Sequence, residues 1–258
     1  MQQQYRSVDI IGEGSFGSVY LIRDHKERPF ALKKIHVDPF EVDGALKEIE
    51  VMKKFVHPNL VQIFDSHFDE QNELLEIIME YCEEGDLLSY FKKRNKQLAV
   101  QEILHIIRQI VQAFIVMNVK GVFHRDLKPE NILISKGMLI KVADFGCARS
   151  VNSNEISRIN NFSLDKGTPI YASPEQLKNE MYSFKCDVWS AGCLIYFIYY
   201  GNHPFMDARV ARAHNTLTLI KKLTENKEIE IEEGTDPTIA KIISLALIYE
   251  DKERASWR

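Results

Sequence analysis

Between Gln101 and Lys120 the apolar positions Ile103, Ile106, Ile107, Ile110, Val111 and Phe114 return every three or four residues, the period of one helix face. The same period runs through 41–56, where Leu46, Ile49, Met52 and Val56 align and predict a second amphipathic helix. Val188 to Tyr200, VWSAGCLIYFIYY, is apolar on every side, which predicts a helix buried all round. It is too short to cross a bilayer, which takes about 20 apolar residues. Further helices are expected over 217–223 and 238–247. Earlier in the chain the pattern changes. Tyr5 to Ile11, Ser18 to Ile22, Phe30 to Ile35, Leu60 to Phe64 and Leu74 to Met79 are short runs punctuated by Gly, Asp or Pro, which predicts strands. CEEGD at 82–86 is a polar turn. The expected architecture is α+β, with a small antiparallel β-rich lobe with one main helix over 1–81 and a larger helical lobe over 82–258. Clefts between lobes favour ligands.

Composition narrows the setting. With 45% apolar and 27% charged residues the chain reads as a folded soluble domain, and a net charge of -4 gives no footing for general binding to nucleic acid or anionic membrane. Cys82, Cys147, Cys186 and Cys193 form no CxxC pair, which argues against a zinc site or a disulfide framework. That usage suits a reducing compartment, so a cytoplasmic or nuclear location is expected. The opening MQQQYRSVDI is polar and shows no secretory pattern, and no membrane segment is expected.

The chemistry sits in a few short stretches. GEGSFGSV at 12–19 places Gly12, Gly14 and Gly17 where backbone amides can approach an anion closely. Alone, this pattern also fits a Rossmann turn or a plain flexible hairpin. A Rossmann turn should open a helix, yet SVYLIR continues as a strand, so a hairpin lying over a nucleotide fits better. Lys33 lies in the apolar strand around Ala31, where an unpaired ammonium is costly. Glu48 is the expected partner because it shares a face with Met52, whereas Glu50 falls on another face. VFHRDLKPENILI at 122–134 sets an acid, cations and an amide between apolar arms. Asp126 can accept a hydroxyl proton, Lys128 can neutralise a phosphoryl group, and Asn131 can bind a cation. Asp144 follows the apolar strand 139–143, and Asp with Asn supplies the oxygen ligands that Mg²⁺ prefers. Phosphoryl transfer is the chemistry these residues fit.

GEGSFGSV, FALKK, Glu48, HRDLKPEN, DFG and the SPE at 173–175, in this order, resemble a eukaryotic protein kinase catalytic domain of the Ser/Thr type, and the resemblance runs from Tyr5 to Arg258. ADFGCAR and GTPIYASPEQL are similar to autophagy-initiating (Unc-like) and NIMA-related kinases, with calmodulin-dependent kinases behind. The resemblance implies ATP as phosphoryl donor with Mg²⁺, for which Mn²⁺ can substitute, and Ser/Thr hydroxyls of proteins as acceptors. Ile11, Gly12, Glu13, Gly14, Ser15, Phe16 and Gly17 would cover the nucleotide. Val19, Ala31 and Leu133 would sandwich the adenine, Met79 would guard the back of its pocket, and Glu80 and Cys82 would offer backbone hydrogen bonds. Lys33, paired with Glu48, would hold the phosphates; Asp144 and Asn131 would hold the metal; Asp126, Lys128 and Thr168 would serve the transfer. Asp187 would anchor the catalytic loop, Glu175 would pair with Arg254, and Met52, Ile63, His124 and Phe145 would stack between the lobes.

Arg125 implies control by a phosphate on the activation segment 144–175, added by an upstream kinase or by autophosphorylation. Leu164 occupies the position that carries the phosphate in similar enzymes, which leaves Ser163, then Ser157, or plain loop serines without that role. Glu83, Glu84, Asp86 and Glu130 would form an acidic rim favouring a basic substrate residue. Similar domains continue past RASW into a final helix, so apolar surface on the lower lobe is expected where this chain ends. Two rivals are a pseudokinase scaffold that binds nucleotide or partners without catalysis, and a small-molecule kinase. The first usually lacks one of Lys33, Asp126, Asn131 or Asp144, all present here; the second lacks the HRDLKPEN form.

Overall fold

A computed structural model describes residues 5–14, 17–144, 149–150, 169–205, 218 and 229–257. Strands β1 (Tyr5–Gly14), β2 (Gly17–Asp24), β3 (Pro29–His36), β4 (Ile63–Asp69) and β5 (Leu74–Glu80) form one antiparallel sheet in the order β1-β2-β3-β5-β4. Between β3 and β4 runs helix α1 (Val42–Lys53). The register pairs Val19 with Lys33 and Lys33 with Ile77, and Leu21 with Ala31 and Ala31 with Met79. Opposed residues share a sheet face, so Val19, Ala31, Lys33, Ile77 and Met79 all present to one side. Gly17 sits where β2 crosses β3. Its φ is +129°, and a Cβ there would fall 1.9 Å from the Lys34 carbonyl oxygen, so only glycine fits.

The rest is mostly helical: α2 (Leu87–Lys93), α3 (Val100–Val119), α4 (Pro174–Leu177), α5 (Lys185–Tyr200) and α6 (Pro237–Ala246). Short ribbons are made by β6 (Val122–Phe123) with β9 (Arg149–Ser150), and by β7 (Ile132–Ser135) with β8 (Leu139–Val142). The two-lobed α+β architecture is the one the sequence predicts. One apolar cluster joins the lobes, running from Ile49, Met52 and Ile77 through Ile106, Phe114 and Val142 to Trp189 and Leu194. By length and composition α3 could cross a membrane, but its inward face from Ile103 to Met117 packs into this core. Helix α5 is buried on nearly every side, as its composition predicts.

Two expectations shift. Helix α1 stops at Lys53, so Val56 lies beyond its end and is 83% exposed instead of continuing the apolar face. The strand expected over Leu60–Phe64 is β4 at Ile63–Asp69, because Leu60 instead makes an isolated parallel bridge with Val142. Helix α2, which the sequence pattern does not signal, is started by Asp86, whose carboxylate accepts from Ser89 N at 2.8 Å. The helix expected over 217–223 lies outside the described residues apart from Thr218.

Two side chains pin the lower lobe. Arg254 is fully buried, forms a two-pronged pair with Glu175 at 2.6 and 3.0 Å, and donates to the carbonyls of Lys185, Ile248 and Tyr249. Removing one partner strands the other charge, so Arg254→Met is expected to cost about 3–5 kcal/mol in a denaturant melt. Gly192 lets α5 approach the end of α6. A Cβ there would meet Ala246 Cβ and Leu247 Cδ2, both at 2.8 Å. Gly192→Ala should therefore lower stability by about 1–3 kcal/mol, read as a lower Tm by calorimetry.

Candidate active site

Residues 124–131 leave β6 and cross the lower lobe as a loop that owes its shape to a buried acid. Asp187, in the first turn of α5, accepts from His124 N at 3.0 Å and Arg125 N at 2.8 Å. Burial pushes its carboxyl above the usual range, an effect opposed by His124 and by these hydrogen bonds. The hold lets Arg125 adopt the left-handed conformation, with φ 67°. His124 completes the turn: Nδ1 lies 3.3 Å from Asp126 N, and Nε2 lies 2.9 Å from the Ala143 oxygen. The first contact uses Nδ1 as an acceptor, which leaves Nε2 to donate to the Ala143 oxygen. Both nitrogens thus serve the fold, and His124 is fully buried.

The loop brings Asp126, Lys128 and Asn131 to one point. Asp126 Oδ2 receives Lys128 Nζ at 2.8 Å and Asn131 Nδ2 at 3.1 Å; Asn131 Nδ2 also donates to the Asp126 backbone oxygen at 2.7 Å. Asn131 is tied onward to the end of β8, since Ala143 N donates to its backbone oxygen at 2.9 Å. The next residue, Asp144, is left-handed, with φ 61°. Its carboxylate turns toward the sheet, where Oδ1 lies 2.5 Å from Lys33 Nζ. Lys33 therefore pairs with Asp144 and not with Glu48, the partner expected from the helix pattern. Glu48 is half-buried on α1, while Glu50 is exposed and bonded to Lys53 at 2.7 Å.

A second, apolar cluster adjoins the first through Ala143. Val61, Cys82 and Ala143 are buried together, with Met79 and Leu133 against them. Ala31 is buried and Val19 half-buried on the same sheet face as Met79. The chain leaves the sheet through Glu80, Tyr81 and Cys82 and is stitched to β7 by Glu84 N to Ile134 O and Ile134 N to Gly85 O, at 3.1 and 2.8 Å. Ile11 and Glu13 are exposed on β1, Gly12 stands opposite Val19, and Gly14 opposite Gly17 at the hairpin end. Ser15, Phe16, Phe145, Ser157, Ser163 and Thr168 lie outside the described residues.

The donor set fits a hard cation. Asn131 uses its nitrogen on Asp126, so its carboxamide oxygen is the atom left to face a cation, and Asp144 adds a carboxylate.

Residues 5–258 match the protein kinase domain model. The chain belongs to the protein kinase domain family. Relatives of this kinase domain include serine/threonine-protein kinase 36 of Pongo abelii, 32% identical over 99% of this chain and 19% of that protein. Human serine/threonine-protein kinase Nek5 is 32% identical over 98% of this chain and 35% of its own length. Serine/threonine-protein kinase ATG1a of Arabidopsis thaliana is 32% identical over 87% of this chain and 35% of its own length. The kinase domain thus spans about a fifth to a third of these relatives. Nek5 and ATG1a answer to the two subgroups that the activation-segment motifs suggest.

Two features of this kinase domain escape the motif reading. Asp86 is occupied as the α2 cap, bonding Ser89 Oγ at 2.7 Å besides Ser89 N, so it is not a plain member of an acidic rim. Lys141 on β8 is buried and pairs with the Glu80 carboxylate at 2.8 Å, tying β8 to the segment that leaves the sheet. The signal was present: Lys141 interrupts an apolar strand just as Lys33 does, and needs a partner for the same reason.

Burial, reinforced by the Glu80 charge, pushes the Cys82 thiol up to about 12. Cys82 should therefore remain a thiol at pH 8 and resist iodoacetamide in the folded domain, with peptide mass spectrometry showing its alkylation only after denaturation.

Proposed function

We propose that this domain transfers the γ-phosphoryl group of ATP to Ser or Thr hydroxyls of protein substrates, with Mg²⁺ as the metal. The observation that carries the reading is the convergence of Asp126, Lys128 and Asn131, joined through Ala143 to Asp144 and through Asp144 to Lys33. Asp126 sits where it can orient an incoming hydroxyl and take its proton. Lys128, 2.8 Å from that carboxylate, supplies positive charge beside the reacting oxygens. Asn131 and Asp144 would hold the metal, which would supply positive charge against the phosphates. Lys33 belongs with the donor phosphates, and the apolar pair Ala31 and Leu133 with the base. Positioning and electrostatics carry the rate, since the protein contributes little covalent chemistry.

Regulation is part of the proposal. Arg125, held left-handed at its backbone by Asp187, would grip a phosphate on the activation segment at Ser163 or, second, Ser157. Phosphopeptide mapping of active protein should find that modification; an active domain unmodified over 150–168 would remove this part.

Activity is tested by transfer from labelled ATP to a generic Ser/Thr protein in the presence of Mg²⁺. Wild type should transfer, and Asp126→Asn should lower the rate by about 10²–10⁴-fold while its Tm changes little. Equal rates for wild type and Asp126→Asn would remove Asp126 from the reaction.

A further inference from the structure

Strand β8 delivers Asp144, and both of its edges are paired. One edge pairs with β7. The other takes the loop between α1 and β4: Val142 N donates to Asn59 O, and Val61 N donates to Val142 O, both at 2.9 Å. Two buried amide side chains lock this junction. Asn59 Nδ2 donates to Gln109 Oε1 and to Ile140 O, each at 2.9 Å. Gln109 Oε1 also accepts from Ile140 N at 2.9 Å, and Gln109 Nε2 donates to Met138 O at 3.0 Å. Asn59 is 2% exposed and Gln109 8%. Gln109 stands among Ile103, Ile106, Ile107, Ile110, Ala113, Phe114 and Met117 as the one polar residue of α3's buried set. An amide in that position is costly unless its polar atoms are matched, as they are here.

We infer that Asn59 and Gln109 are a positioning pair for phosphoryl transfer. They fix the register of β8 against α3 and against the loop that follows α1, and so set where Asp144 meets Lys33. The inference rests on the proposed kinase activity and deepens it. The ties land on Ile140 and Val142, directly upstream of Asp144, and on the loop through which α1 returns to the sheet. An apolar residue in place of Gln109 would fill the same space in α3 yet remove the bonds to Ile140 N and Met138 O and leave Asn59 without its partner on α3. A shift on the order of 1 Å at the metal ligand is enough to lower a rate about 10²-fold.

The test compares wild type, Gln109→Leu, Asn59→Ser, the double variant, and the exchange Asn59→Gln/Gln109→Asn. Each is read for kcat, for KM of ATP and of the protein substrate, for the Mg²⁺ concentration giving half-maximal rate, and for Tm. The single variants should lose about tenfold or more in kcat and need more Mg²⁺, with KM for the protein substrate unchanged. The double variant should be little worse than either single, because the two act as one unit. The exchange, which keeps both amides, should recover part of kcat. Lower Tm with wild-type kcat and Mg²⁺ dependence, or losses that simply add, would overturn the positioning role. Asn59→Ser retains a short polar group and carries the comparison if Gln109→Leu does not fold. No transfer by wild type in the same assay would overturn the kinase reading, and the positioning role with it.

Discussion

A buried carboxylate organises the reactive half of this domain. Asp187 accepts two consecutive backbone N–H groups, from His124 and Arg125, and in doing so bends the chain into the left-handed step that launches residues 126–131. Burial works against the charge, and the two N–H donors offset it. Without this anchor the ring of His124 would not bridge Asp126 N to the Ala143 oxygen, and Asn131 would not reach both Asp126 and Ala143. The anchor stands on α5, whose own position is fixed by the Arg254–Glu175 pair below and by the close approach at Gly192. The sequence of dependence therefore runs from the buried helix to the loop, and from the loop to the reacting groups.

The polar groups in the interior divide by what they hold. Arg254 and Glu175 hold the lower lobe together. Lys141 and Glu80 tie β8 to the exit from the sheet, and Asn59 and Gln109 tie it to α3 and to the loop after α1. Strand β8 thus receives fixed polar contacts from both lobes just before it presents Asp144. Lys33 then reaches Asp144 from β3 and closes the circuit between the lobes. An apolar core alone could bring these elements together, but its contacts are not directional; the hydrogen bonds set register.

Much of this was legible in the sequence, and the reasons for the rest are physical. Helix α3 and the buried α5 follow from apolar spacing, because those segments are long enough for the period to speak. The loop 124–131 follows from its chemistry, since residues such as Asp126 and Asn131 between apolar arms have few other uses. Strand β4 was misplaced because Leu60 looks like a strand residue but bridges Val142 in the other lobe, a partner no local pattern reveals. Helix α2 was too short to show a period, and its cap Asp86 was taken for a surface acid. The Lys33 partner was assigned from the helix pattern and from the family resemblance, whereas the left-handed turn at Asp144 brings the Asp144 carboxylate to Lys33. Asn59 and Gln109 lie far apart in the chain, and nothing in either neighbourhood marks them as a pair.

The central claim is that one site, built by Asp144 and Asn131, receives the metal that accompanies ATP. Crystals grown with a non-hydrolysable ATP analogue and Mn²⁺ would locate that metal directly by anomalous scattering. The account predicts a peak bonded to the Asp144 carboxylate and the Asn131 carboxamide oxygen, with Lys33 turned toward the phosphates. A bound nucleotide whose metal lies away from both oxygens would contradict it.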